Sequence, residues 1–142
     1  MTEQPTRLIR VFDESDVVFT VINDGGENEG EKFVDALQEQ DKAKFRRYFE
    51  WLKNGHHIKS PENMRYISGD DPKDRGAVVH ELKTHRQGGR RLYVVHFEGR
   101  WYVTHGDRKG GDKQVVKNAK RAFAIFWGGY GEGEADGTVS DQ

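Results

Sequence analysis

Between Ala77 and Phe97 the chain reads "AVVHELKTHRQGGRRLYVVHF", two β-branched and aromatic runs separated by Gln87-Gly88-Gly89. Glycines at that point permit the positive φ angles a tight hairpin requires. A second turn at Glu98-Gly99 leads into "RWYVTH", so a three-strand meander is expected. Upstream, Phe33, Leu37, Phe45, Phe49 and Leu52 recur at helical spacing, with Ala36 and Tyr48 alongside. Asp41 is a good helix-capping residue, which predicts two helices over 30–39 and 42–54, the second stopped by Gly55. The stretch "SPENMRYISGDDPKDRG" reads as a long turn-rich connection. After the loop "GDRKGGD", the spacing of Val116, Ala119, Phe123 and Phe126 predicts a final amphipathic helix. At the other end, "RLIRVF" and "VVFTVI" read as extended. The expected fold class is α+β: an antiparallel sheet, covered by helices on one side, with two N-terminal helices and a C-terminal helix.

The 142 residues are expected to form one domain over 1–127, followed by an acidic, Gly-rich, flexible tail over 128–142. The absence of cysteine removes disulfides and thiolate metal sites. No apolar run approaches the ~18 residues of a membrane span, so a cytoplasmic protein without a membrane partner is expected. Charge is unevenly placed. Residues 1–41 carry 3 Lys/Arg against 11 Asp/Glu, residues 42–127 carry 20 against 9, and residues 128–142 carry 4 acidic and no basic residues. A basic middle between acidic ends suits a polyanion-binding surface, and equally an ordinary solvated one.

The motifs narrow the chemistry. In "HELKTH" the histidines lie five residues apart, which on a helix turns the second about 140° away from the first. On a strand the odd gap puts His80 and His85 on opposite faces, so no metal site is expected there. The pair His56-His57 lacks a third partner. In "GDRKGGDK" the residues after the second glycine do not match a nucleotide-triphosphate loop, but a glycine loop entering a helix can hold one phosphate oxygen. A plain strand-to-helix connection explains it equally well. At the hairpin tip, Lys83, His85, Arg86, Arg90 and Arg91 occupy five of nine residues. Arg91, Tyr93, Val95 and Phe97 share one strand face, so an arginine fork and a stacking ring could meet a nucleotide there. The competing reading assigns Tyr93 and Phe97 to the core.

Five segments, "KFVDALQEQDKAKFRRYFEWLKNG", "HELK", "RRLYVVH", "VTHGDRK" and "DKQVVKNAKRAF", follow one another in the order and spacing of the RelE/HigB toxin superfamily, especially its phage-derived branch. The chain resembles that family over about 90 residues, from Phe33 to Phe123. The resemblance implies a small RelE-like domain acting as a toxin-type endoribonuclease. Its substrate would be mRNA, usually on the translating ribosome, and its partner a cognate antitoxin protein. Arg91 falls on the family's phosphate-contacting strand arginine and Lys83 on the basic residue after "EL". Arg108 and Lys109 fall on the basic pair after the last strand, and His105 matches a histidine frequent in the branch. Two positions depart: Asp107 stands where the family has Phe, and no tyrosine stands near Gln114.

Such cleavage proceeds by attack of a ribose 2′-OH on the adjacent phosphate, with no cofactor or metal in the scheme. Arg91 and Arg108 are the expected charge stabilisers, and Lys83 or His105 the expected proton-transfer group. Arg86, Arg90, Lys109, Lys113 and Lys117 are expected to hold the RNA backbone. Truncating Arg91 is expected to slow cleavage without unfolding the chain. The alternative is a non-cleaving member of the same fold, directed at gyrase, at another partner, or at RNA.

Overall fold

The computed structural model describes residues 7–131. Its elements are β1 (Leu8–Arg10), β2 (Val18–Val21), α1 (Glu29–Asp35), α2 (Glu39–Lys53), β3 (Met64–Ser68), β4 (Val78–Thr84), β5 (Arg90–Phe97), β6 (Arg100–Arg108) and α3 (Asp112–Tyr130).

β5 organises the sheet because it is apolar on both faces. Tyr93, Val95 and Phe97 point one way and Leu92 and Val94 the other, all at most 2% exposed. A strand buried on both sides must lie inside the sheet with layers above and below. β4 and β6 flank it, joined through the two expected turns. Gln87, Gly88 and Gly89 all take positive φ, as do Glu98 and Gly99, the backbone such turns require.

The full strand order is β1-β2-β6-β5-β4-β3. All neighbours are antiparallel except β2 and β6, which run parallel, so the sheet is mixed rather than antiparallel. β3 occupies part of the segment read as a connection, pairing Arg65 with Glu81 and Tyr66 with His80. The helices cover both faces, not one. Phe45, Tyr48, Phe49 and Leu52 of α2, with Val34 of α1, pack on Leu82, Leu92, Val94 and Val103. Ala119, Ala122, Phe123, Phe126 and Trp127 of α3 pack on Val79, Tyr93, Val95 and Tyr102.

Helix boundaries also differ from the sequence reading. Asn28 caps α1, its Oδ1 accepting from the Glu31 N–H at 3.1 Å. Asp41 does not cap α2; it lies within the first turn beside Glu39, where negative charge favours the helix dipole. Gly55, at φ 72°, ends α2: its N–H reaches the Leu52 carbonyl at 3.2 Å and that of His56 reaches Trp51 at 2.8 Å. A 3-10 turn at Arg86–Gly88 adds one helical segment beyond the two N-terminal helices and one C-terminal helix expected. α3 runs through Tyr130, so the first residues assigned to the tail are helical, and residues 132–142 lie outside the described ones. Val116 is 53% exposed, so the buried stripe of α3 passes through Ala122 rather than Val116.

On the face shared with α1 and α2, aromatic rings from four strands meet. His96 stacks on Trp101 at 4.0 Å, and His80 approaches Trp101 at 5.3 Å and Tyr66 at 5.8 Å. Burial, with His96 nearby, pushes the His80 imidazole down to about 4. Between about pH 6.5 and 4 the unfolded chain therefore binds a proton that the folded chain excludes. Folding stability should fall as pH drops through that window, and His80→Phe should flatten the fall in urea titrations at pH 4.5 and 7.

Gly106 lies under the Phe33 ring, and an added Cβ would sit 2.1 Å from Phe33 Cδ2. Gly106→Ala should lower stability by about 1–3 kcal/mol through overpacking, seen as a lower urea midpoint with an unchanged slope.

Candidate functional site

Antiparallel pairing puts directly opposed residues on the same sheet face. On the face covered by α3, this sets two polar rows across the strands. One row is Arg65, Glu81, Tyr93 and His105; the next is Lys83, Arg91 and Asp107. α3 covers His105 and Tyr93 but starts only at Asp112, so the far ends of both rows stay open. The result is a recess of about 340 Å³ lined by Arg65, Glu81, Lys83, Arg91, Lys109 and Asp112, among others. Four cations from β3, β4, β5 and the β6–α3 loop converge there on one buried carboxylate.

Glu81 is 1% exposed. Its Oε2 accepts from the Tyr93 hydroxyl at 2.8 Å, and its Oε1 lies 3.4 Å from Arg65 Nη2 and 3.8 Å from Arg91 Nε. The Tyr93 hydroxyl is pushed above its ordinary range by burial and by donating to this carboxylate. Arg91 is itself buried, and its Nη1 donates to the Thr84 carbonyl at 2.9 Å and the Arg90 carbonyl at 3.0 Å. One edge of the guanidinium thus braces the β4–β5 hairpin while the side chain lines the recess. The Lys83 amine is held below the ordinary lysine range by burial and by the charges of Arg65, Arg91 and Lys109, against the pull of Glu81.

The other expected residues fall in different places. His105 is 3% exposed, stacked on Tyr93 at 5.1 Å, with Nδ1 3.1 Å from Thr104 Oγ1 and Nε2 3.0 Å from Asn118 Oδ1. Burial holds its imidazole below the ordinary range. It belongs to the interior behind the recess. Lys109 lines the recess, whereas Arg108 is exposed at the end of β6 and does not. Arg90 bonds the Gln87 and Gly89 carbonyls, each at 3.2 Å, and Arg86 lies 4.0 Å from Asp41. Lys113 and Lys117 are exposed along the first two turns of α3. Neither forms part of the recess wall.

Tyr93 and Phe97 are core residues under α3, so the stacking ring proposed beside Arg91 is absent from the surface. His85 has left the strand and binds the Glu62 carbonyl through Nε2 at 2.8 Å. Among the described residues, no group of three or more His, Asp or Glu is placed to hold a metal ion. Asp107 does not oppose the recess: it accepts from the side chains of Gln114 at 3.1 Å and Asn118 at 3.0 Å and from the Arg108 N–H at 2.8 Å.

Sequence reasoning missed Arg65 and Glu81. Arg65 sat in the segment read as a loop. Glu81 carried a signal, since its strand phase equals that of Lys83, opposite Arg91.

The family model described as phage-derived protein Gp49-like matches residues 32–125, which include every residue lining the recess. No curated protein and no solved structure matches the chain.

The Arg91–Glu81 contact makes Arg91 part of the fold as well as of the recess. Arg91→Ala should cost about 3–5 kcal/mol, because it strips a buried carboxylate of a partner. In a Glu81→Gln background the same change should cost less by about 1 kcal/mol or more, a coupling readable in a double-mutant cycle by urea denaturation.

Proposed function

The chain belongs to the phage-derived Gp49-like family, and from that membership and the cationic recess we propose that it is the toxin of a toxin–antitoxin pair, binding and cutting mRNA. The observation that carries this reading is the convergence of Arg65, Lys83, Arg91 and Lys109 at the open ends of the two polar rows. A recess so charged attracts a phosphodiester, and its partly buried walls strengthen each contact.

The roles follow from placement. Lys83 is the proton-transfer group, because its lowered pKa raises the neutral fraction that can take a proton from the 2′-OH. As the 2′-oxygen bonds phosphorus the P–O5′ bond breaks, and the departing 5′-oxygen takes its proton from water. Arg91 and Arg65 stabilise charge on the phosphorane. Lys109 holds a flanking phosphate, and Arg86, Arg90, Arg108, Lys113 and Lys117 track the strand beyond the recess. His105 supports Tyr93 from behind and does not transfer a proton. The antitoxin partner, action on the translating ribosome, and a cytoplasmic site of action are parts of the same proposal.

A second reading is a family member that binds a partner or RNA without cleaving. The inward placement of His105 favours it, since the recess then holds one proton-transfer group rather than two.

Adding the protein to a translating extract and mapping mRNA ends by primer extension separates the two. Wild type should create new 5′ ends, and Lys83→Met should reduce them by about 100- to 1,000-fold. Lys83→Arg, which keeps the charge but cannot deprotonate, should fail equally. The wild-type rate should rise with pH and level off below the ordinary lysine value of about 10.4. New ends from Lys83→Arg at the wild-type rate would remove Lys83 from proton transfer. No ends from folded wild type would leave the non-cleaving reading.

A further inference from the structure

We infer that Glu81 reads the sugar of the bound strand: its Oε1 accepts a hydrogen bond from the 2′-OH of the nucleotide adjoining the cleaved one, making the recess selective for ribonucleotides over deoxyribonucleotides. The cleaved nucleotide's own 2′-OH gives its proton to Lys83. The inference rests on the nucleic-acid reading above and deepens it.

The two oxygens of Glu81 are not equivalent. Oε2 is occupied by the Tyr93 hydroxyl at 2.8 Å. Oε1 is within ion-pairing distance of Arg65 and Arg91 but has no hydrogen bond to either. A buried carboxylate oxygen lacking a donor is an uncommon arrangement that a ligand donor would relieve. Glu81 forms part of the recess wall, between the strands that carry Arg65 and Arg91.

The chemistry of the missing donor is restricted by its neighbours. A cationic ligand is repelled by Arg65, Lys83, Arg91 and Lys109. A second phosphate is repelled by Glu81 itself. What satisfies both is a neutral hydroxyl carried next to an anion, and a ribose 2′-OH beside its 3′-phosphate is that pair. DNA supplies the phosphate without the donor, which is the feature by which proteins distinguish the two polymers at a given site. Oε1 is covered in the free protein, and of the two arginines beside it Arg65 has the exposed side chain, 42% against 7% for Arg91, so Arg65 is the neighbour that moves when a hydroxyl reaches Oε1.

The test is competition at low salt against a labelled single-stranded DNA tracer, read by fluorescence polarisation. The competitors share one sequence as RNA, DNA, or 2′-fluoro RNA, and are checked intact on gels afterwards. The 2′-fluoro strand keeps a ribose-like pucker but has no 2′ donor. With wild-type protein, RNA should compete at a concentration about tenfold or more below both others, as expected for one hydrogen bond to a charged group. In Glu81→Gln the RNA to 2′-fluoro ratio should shrink at least about threefold, since a neutral acceptor holds the hydroxyl less strongly. RNA and 2′-fluoro RNA competing equally on wild type would overturn the role of Glu81 while leaving nucleic-acid binding in place. A tracer that does not bind, with no strand bound in direct titration, would overturn the nucleic-acid reading and this inference with it.

Discussion

A single buried carboxylate constrains much of this structure. Placing the Glu81 side chain beneath the sheet surface is unfavourable unless charge and hydrogen bonds surround it. Tyr93, Arg65 and Arg91 supply them, from the two strands that flank β4. The requirement fixes register. A one-residue slip of β4 would send Glu81 into the apolar layer under α2 and expose Leu82 to α3, reversing both faces together. The groups that hold β3, β4 and β5 in register are also the groups that give the recess its charge. In this chain, fold and site draw on the same interaction.

The other boundary of the recess is set by how α3 begins. Its N-cap, Gly111, offers no side chain, and Asp107 two residues into the preceding strand end compensates. Asp107 reaches Gln114 and Asn118, and those bonds with the Arg108 N–H outweigh burial and keep its carboxyl below the ordinary range. Its charge is thereby spent on the first turns of the helix. Asn118 faces two ways, donating to Asp107 and meeting His105 through Oδ1. The acidic side chain at position 107 is thus absorbed by a polar brace and leaves the recess cationic.

How much was readable depended on the range of the interactions involved. The β4–β5–β6 meander was legible because its signals are local: β-branched alternation, and glycines where positive φ is needed. α3 and the break between α1 and α2 were legible from apolar spacing, although the cap was misplaced. An acidic residue is favourable both at the cap and within the first turn, so Asp41 could not distinguish the two. β3 was not legible. It is short, edge-placed and bulged between Tyr66 and Ser68, and it lies among residues typical of turns. Its strand character comes from β4, chiefly from the partner that Glu81 needs in Arg65. The parallel pairing of β2 with β6 joins residues some eighty positions apart and has no local trace.

The candidate site was read in the same uneven way. Lys83, Arg91 and Lys109 were found because strand phase and turn position are written in sequence, and the fold brings these three together. The accompanying ring was lost because alternation says which residues share a face but not what covers that face. Once β5 is central, Tyr93 and Phe97 must lie under a helix, and the buried Arg91 still lines the recess because α3 begins only at Asp112. The same offset decides between Lys83 and His105. Both lie on the α3 face, but His105 falls beneath the helix, while Lys83 falls beyond its first residue, beside three other cations that make its proton easier to lose. In the proposed reaction, the choice of proton-transfer group follows from where a helix begins, and residue type alone would have favoured the histidine.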